Sequence, residues 1–223
     1  GVVCSIHTAA LLSEPSIVDA AQKGLPVVTL NRRNDDASIP FVINDDAAGV
    51  RAVFEHLRSN GHEAIAHLAG PSDLSTGQLR CRAFVDVAQD HGASSADLTI
   101  SEAQRFDEEE GLRCTFHILD TAPDTTAILC ANDRLALGAL QALRDRGLDC
   151  PRDVSVTGFN DMPFLDMIPP GLTTVRIQQF EAGRIAAEHL LAMLCGNTAL
   201  VPHETILPVA LVERASVAAP RAL

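Results

Sequence analysis

Two polar pairs in this sequence are of a type that grips hydroxyl groups. Asn132-Asp133 follows the apolar run Ala127 to Cys130, and Asn160-Asp161 lies just past the run Val154 to Thr157. Asp accepts, and Asn both accepts and donates, in a fork that spans neighbouring hydroxyls of a polyhydroxylated molecule. Arg adds up to five donors. A neutral hydrogen bond is worth roughly 1 kcal/mol net and one to a charged group about 1.5 to 3, so three or four such residues and one stacking ring suffice for micromolar binding. With no Trp and no Tyr, that ring must be one of the 8 Phe residues. Spacing alone leaves a second role open, because Asn or Asp after a strand also caps helices.

Covalent chemistry finds little support. There is no G-x-G-x-x-G after a strand, no G-x-x-x-x-G-K-[ST] loop, no G-x-S-x-G elbow and no H-E-x-x-H. A hydrolase built on Asp133, Asp161 and a histidine would need a histidine beside a nucleophile, and nothing in the sequence places one there. The 8 histidines show no metal-ligand spacing. No enzyme activity, cofactor or metal is therefore expected.

The elements that must position these residues follow from periodicity. The stretch Thr126 to Asp161 reads as strand, helix, strand, with Gly147 as the helix stop after Arg146 and Pro151 beyond it. Two parallel strands joined by a crossover helix put their carboxyl ends on one edge of a sheet, so both polar pairs face the crevice where open α/β sheets bind ligands. Before that unit come strands at Val2 to Ile6, Pro26 to Leu30, Phe41 to Ile43, Ala64 to Leu68 and Leu98 to Ile100. Helices span Ser16 to Lys23, Asp45 or Asp46 to Arg58, Ser75 or Thr76 to about His91, and Asp107 to about Leu119. The second of these carries Val50, Val53, Phe54 and Leu57 at i, i+3, i+4 and i+7, so its apolar stripe must lie on a sheet. Asp107, Glu108, Glu109 and Glu110 open the fourth, where carboxylates complement the helix dipole; a metal site is the sharper alternative. After Pro169-Pro170-Gly171 come a strand at Thr173 to Val175, a helix from Phe180 to Leu194, strands at Thr205 to Leu207 and Val209 to Val212, and a loose Ala- and Pro-rich tail.

Strands alternating with helices define an α/β protein with parallel sheets. The helix after Pro169-Pro170 implies that the chain crosses back to its first lobe, giving two lobes: residues 1–62 plus 176–198, and 63–175 plus 199–223. At 223 residues and 47% hydrophobic composition the chain supports a sizeable core. No run of about 18 apolar residues exists and no signal-peptide pattern opens the chain, so no membrane partner is expected. The chain begins directly in a strand-like run, which suggests a start farther upstream. A net charge of -12 argues against a phosphate-binding surface. Six cysteines without a C-x-x-C pair fit free thiols in a reducing cytoplasm.

Several stretches resemble the effector-binding core of the LacI/GalR family of bacterial transcription regulators, which shares its fold with periplasmic sugar-binding proteins. They are LPVVTLNRR (25–33), INDDAAG (43–49), EHLRSNGHEAIAHLAGP (55–71), STGQLRCRAF (75–84), the segment 127–161, PPGLTTVR (169–176) and LPVALVERAS (207–216), in the family's order. The resemblance implies a type I periplasmic-binding-protein-like fold, two α/β lobes clamping a small effector, usually a sugar or nucleobase. It further implies a homodimer in the cytoplasm that reaches operator DNA only through a helix-turn-helix, which this sequence lacks along with the first strands of lobe one. A periplasmic sugar-binding transport receptor is the alternative.

Carried over by position, the resemblance implies effector contacts from Arg80, Thr76, Asn132 and Phe106, the last as a stacking ring. Asp133 is as apt to cap its helix. Asn160 and Asp161 match the family's G-F-D-D corner, and Asp45 the start of its D-N-x-x-G segment. Asn160 replaces the usual first aspartate, removing a charge and adding a donor. The V-R-Q-P segment reads Val175-Arg176-Ile177-Gln178, so a glutamine contact is lost to Ile177 or displaced to Gln178 or Gln179.

Overall fold

The computed structural model describes residues 2–5, 14–33 and 39–221. Ile6, the last residue of the first expected strand, lies outside them. The chain divides into two compact units: Gly1–Asp45, Leu74–Thr76 and Gln178–Pro208 form unit 1, and Asp46–Asp73, Gly77–Ile177 and Val209–Leu223 form unit 2.

Unit 1 holds a four-stranded sheet in the order β1-β2-β3-β9, all parallel, from β1 (Val2–Ser5), β2 (Val27–Leu30), β3 (Phe41–Asn44) and β9 (Glu204–Leu207). Val28, Val42 and Leu207 pack against Ala182 and Ala186 of α6 (Gln179–Leu194). Helix α1 (Glu14–Gln22) brings Ile17 onto Val27 and Ile39.

Unit 2 is built on β5-β4-β6-β7, again all parallel: β4 (Ile65–Ala69), β5 (Ile100–Glu102), β6 (Ala127–Cys130) and β7 (Ser155–Thr157). These strands are short and nearly continuous in apolar residues because both faces are covered. One face takes α4 (Glu108–Thr121) and α5 (Asp133–Asp145), with Cys114, Ile118, Leu135 and Ala139 on Ile128 and Cys130. The other takes α2 (Asp46–Ser59) and α3 (Ser75–Asp90), with Val53, Phe54, Leu57 and Phe84 on Ile65 and Leu129. A two-stranded antiparallel ribbon, β8 (Thr174–Arg176) with β10 (Ala210–Val212), completes the unit. Helices α2, α3 and α5 are followed by Gly61, Gly92 and Gly147 at positive φ, the left-handed stops their sequences announce.

The units divide the chain differently from residues 1–62 plus 176–198 and 63–175 plus 199–223. Helix α2 goes with unit 2, because its apolar stripe lies on that unit's sheet. Strand β9 goes with unit 1, because it pairs with β3. The expected loose tail is tied down: Val156 donates to the Ser216 carbonyl at 3.0 Å, the Ser216 hydroxyl donates to the Val156 carbonyl at 2.6 Å, and the Ala218 carbonyl meets His62 Nε2 at 2.9 Å. Its polar atoms complete the β7 edge, a pairing that hydropathy does not show.

Candidate ligand site

Parallel strands point their carboxyl ends the same way, so the residues after β4, β5, β6 and β7 share one edge of the unit 2 sheet. Arg80, one turn into α3, is 4% exposed, and its guanidinium is held by several polar partners at this edge. Its Nε donates to Asp46 Oδ1 at 2.9 Å, Nη2 lies 2.8 Å from the same oxygen, and Nη1 donates to the Ala131 carbonyl at 2.5 Å. Nη2 reaches Asn160 Oδ1 at 3.4 Å, and the guanidinium stacks 3.7 Å above the Phe159 ring. A buried cation is stable only with its charge paired and most of its donors used, and this set meets both conditions while these contacts engage only one of the two Nη1 N–H groups. Gly49 lets α2 come this close: a Cβ there would stand 2.6 Å from the Phe159 ring.

Asn132 is the N-cap of α5, its Oδ1 accepting from the Leu135 N–H at 2.8 Å. Its oxygen is thus committed, and the amide Nδ2 is its group with ligand capacity. Asp133, the other candidate for the cap, is instead buried and pins two neighbouring segments. It accepts from the Met162 N–H at 2.8 Å and from the Thr174 hydroxyl at 2.5 Å, while its own N–H donates to the Phe159 carbonyl at 3.0 Å. Burial raises its pKa, against the Thr174 and Met162 hydrogen bonds.

Asn160 and Asp161 both sit at positive φ, 122° and 57°. The Asp161 carboxylate accepts from Arg214 Nη2 at 2.6 Å and Arg176 Nε at 2.7 Å. Burial opposes its ionisation, but the two guanidiniums prevail and hold its pKa below the ordinary carboxylate value. Phe106, half-buried after β5, lies over the end of β4, where a Cβ on Gly70 would run into its ring.

The remaining two candidates belong to unit 1. Thr76 accepts from Arg32 Nη1. Asp45 follows β3 and its N–H donates to the Leu207 carbonyl at 2.9 Å. The carboxylate that meets Arg80 is that of Asp46, one residue beyond the one the resemblance named. Beside Asp45, Asn44 donates to Asn31 Oδ1 at 3.1 Å and accepts from the Gln178 N–H at 2.8 Å, and Asn31 is left-handed at φ 53°.

The structure therefore brings Arg80 and Asn160 together, sets Asn132 and Phe106 on the same sheet edge, and engages Asp161 in an ion-pair cluster. Sequence reasoning missed Asp46, Phe159 and Arg214. The doubled Asp45-Asp46 was the available signal for the first, and burial of Phe159 beneath a cation had none. Among the described residues no cluster of His, Cys, Asp and Glu has metal-binding geometry, and the carboxylates opening α4 are engaged with Arg105, Arg113 and Arg134. The five described cysteines whose pairing is defined are free. A hollow of about 360 Å³ elsewhere in unit 2, floored by Leu112, Leu137 and Leu140, includes none of the candidate residues in its lining.

An open parallel sheet with amide, guanidinium and aromatic groups along its carboxyl edge defines a small-molecule-binding α/β domain. Residues 54–217 match the periplasmic binding protein-like domain family. The HTH-type transcriptional regulator MalR of Streptomyces coelicolor is 33% identical over 201 residues, covering 89% of this chain and 58% of the relative. Among solved structures, a LacI family transcriptional regulator from Enterococcus faecium with bound ribose aligns at a TM-score of 0.84 and 26% identity over 98% of this chain and 80% of that one. The transcriptional regulator CelR–cellobiose complex aligns at 0.88 and 28%, over 97% and 65%. The chain belongs to the LacI/GalR family of transcription regulators and constitutes an effector-binding domain of the periplasmic binding protein-like fold. It spans just under three fifths of the length of that MalR regulator.

Proposed function

We propose that this domain senses a small polar metabolite, a sugar or close relative, at the carboxyl edge of the unit 2 sheet. The observation that carries the reading is the Asp46–Arg80–Asn160 arrangement on Phe159, a buried polar set held ready at a sheet edge where ligands bind in such folds. In this reading Arg80, Asn132 and Asn160 donate to ligand oxygens and Phe106 stacks on the ligand's apolar face; Asp45 and Thr76 are proposed separately as polar ligand groups of unit 1. Asp161 acts through its neighbour. Similarity to regulators caught with ribose and with cellobiose supports a sugar.

The full regulator works, in this proposal, as a cytoplasmic homodimer that carries ligand state to operator DNA through a separate DNA-binding segment. Such coupling is a difference in affinity between two states, typically about 1 to 3 kcal/mol, and needs no covalent step. No helix among the described residues is long and apolar enough to cross a membrane.

Titration calorimetry against ribose, glucose, galactose, maltose and cellobiose tests the site. The informative variant is Asn132→Ser, which keeps a good N-cap oxygen and removes the amide donor. Weakened sugar binding with little change in stability supports the reading. Binding of no sugar, or unchanged binding in Asn132→Ser, contradicts it.

A further inference from the structure

The turn after β7 is held at more points than a turn of its length requires. Gly158 N–H donates to the Thr173 carbonyl at 2.9 Å, Asn160 N–H to the Val175 carbonyl at 2.8 Å, and Met162 N–H to Asp133 Oδ2 at 2.8 Å. Between them two successive non-glycine residues adopt positive φ, a strained conformation that persists where surroundings over-determine it. The side chain between these anchors is the Asp161 carboxylate, gripped by Arg176 from β8 and by Arg214 from beyond β10. Arg214 is itself fixed: Nη1 donates to the Leu172 carbonyl at 2.7 Å, its N–H donates to Thr173 Oγ1 at 2.9 Å, and its carbonyl accepts from that hydroxyl at 3.1 Å. It is mostly shielded from solvent, with 18% of its side chain exposed, whereas Arg176 is 60% exposed.

We infer that Arg214 is a positioning residue of the ligand site: through Asp161 it fixes the left-handed turn that presents the Asn160 carboxamide to Arg80. This rests on the carboxyl edge of unit 2 being the ligand face. The shielded Arg214–Asp161 pair sets the turn, and exposed Arg176 adds a weaker, salt-screened arm. A residue more than fifty positions away in sequence thereby controls the angle of Asn160 and, with it, the donor geometry of Arg80.

The test compares Arg214→Ala, Asp161→Asn, their double variant and Arg214→Lys in two readouts, affinity for whichever panel sugar the unaltered protein binds and the Nε–H resonance of Arg80 in ligand-free protein. Loss of a hydrogen bond to a charged group predicts about tenfold weaker binding in each single variant. The double variant should be no weaker than either single, because both cut one link, and Arg214→Lys should recover part of the loss. The Arg80 resonance should shift in Arg214→Ala and Asp161→Asn. Additive losses, unchanged affinity in folded variants, or an unmoved Arg80 resonance overturn the inference. Should the unaltered protein bind no panel sugar, the site reading fails before any variant is made, and the Arg80 resonance still decides the link from Arg214. If Arg214→Ala does not fold, Arg176→Ala and Arg214→Lys carry the same comparison, with smaller expected losses.

Discussion

The two sheets solve the same problem with different materials. At the carboxyl edge of unit 2, ionised groups meet: Asp46 with Arg80, and Asp161 with Arg176 and Arg214. At that of unit 1, amides and a hydroxyl take part instead, with Asn44 joining Asn31 to the Gln178 backbone and Arg32 meeting the Thr76 hydroxyl. A neutral hydrogen bond contributes about 1 kcal/mol and tolerates replacement, whereas a buried charge left without its partner costs far more. Unit 2 should therefore be rigid and intolerant of change at this edge, and unit 1 more forgiving.

The largest expected effect comes from halving the buried pair. Arg80→Ala removes the buried cation that pairs with the Asp46 carboxylate and should cost about 3 to 5 kcal/mol in urea unfolding of the domain. The exposed pair Arg82–Asp86 on the same helix is the control, with Arg82→Ala expected within about 1 kcal/mol. An equal cost for the two would erase the contrast between buried and exposed charge.

Next in size is a pH effect from the core of unit 2. His67 is fully buried on β4, stacks on Phe84 at 4.8 Å between centroids, and bonds the Leu129 carbonyl through Nδ1 at 2.8 Å, while Nε2 finds no hydrogen-bond partner among the described residues. Burial brings its pKa down to about 4. Below the unfolded value near 6.5 the unfolded chain takes up a proton that the folded one refuses, so stability falls as pH drops from about 6.5 toward 4, by about 3 kcal/mol. His67→Leu should flatten that limb, as read by unfolding at pH 7 and pH 4.5. Asp161 works later in the same direction: its depressed pKa gives stability present above the unfolded carboxylate value and lost as pH falls through the folded one. An unchanged slope in His67→Leu would mean that the acid sensitivity arises elsewhere.

A smaller loss should follow Gly49→Ala, whose Cβ must displace the Phe159 ring under Arg80, at about 1 to 3 kcal/mol. The smallest belongs to unit 1. Asn44→Ala should cost about 1 to 2 kcal/mol with no pH dependence, since only neutral bonds are lost. A cost as large as that of Arg80→Ala would place the two edges on an equal footing.

Much of the fold was legible because periodicity and stop signals agreed locally. Val50, Val53, Phe54 and Leu57 announced α2, Gly61 its end, and Ala127 to Thr157 the β6-α5-β7 unit. Which unit an element joins was not legible, since α2 and β9 are assigned by the partner they bury against and no local pattern names that partner. The site was half legible. Arg80 and Asn160 stand out by residue type and by family resemblance, but the division of labour between Asn132 and Asp133 depends on which oxygen reaches the α5 N-terminus. Asp161 read as a ligand group because its two arginines approach from β8 and the C-terminal segment, which spacing along the chain does not reveal.

The most direct test of the central claim is a side-chain resonance titration with a panel sugar that binds. The account predicts that the Asn132 and Asn160 amides and the Arg80 Nε–H all shift together along one binding curve. A sugar that binds at the same affinity while leaving all three unmoved would contradict it.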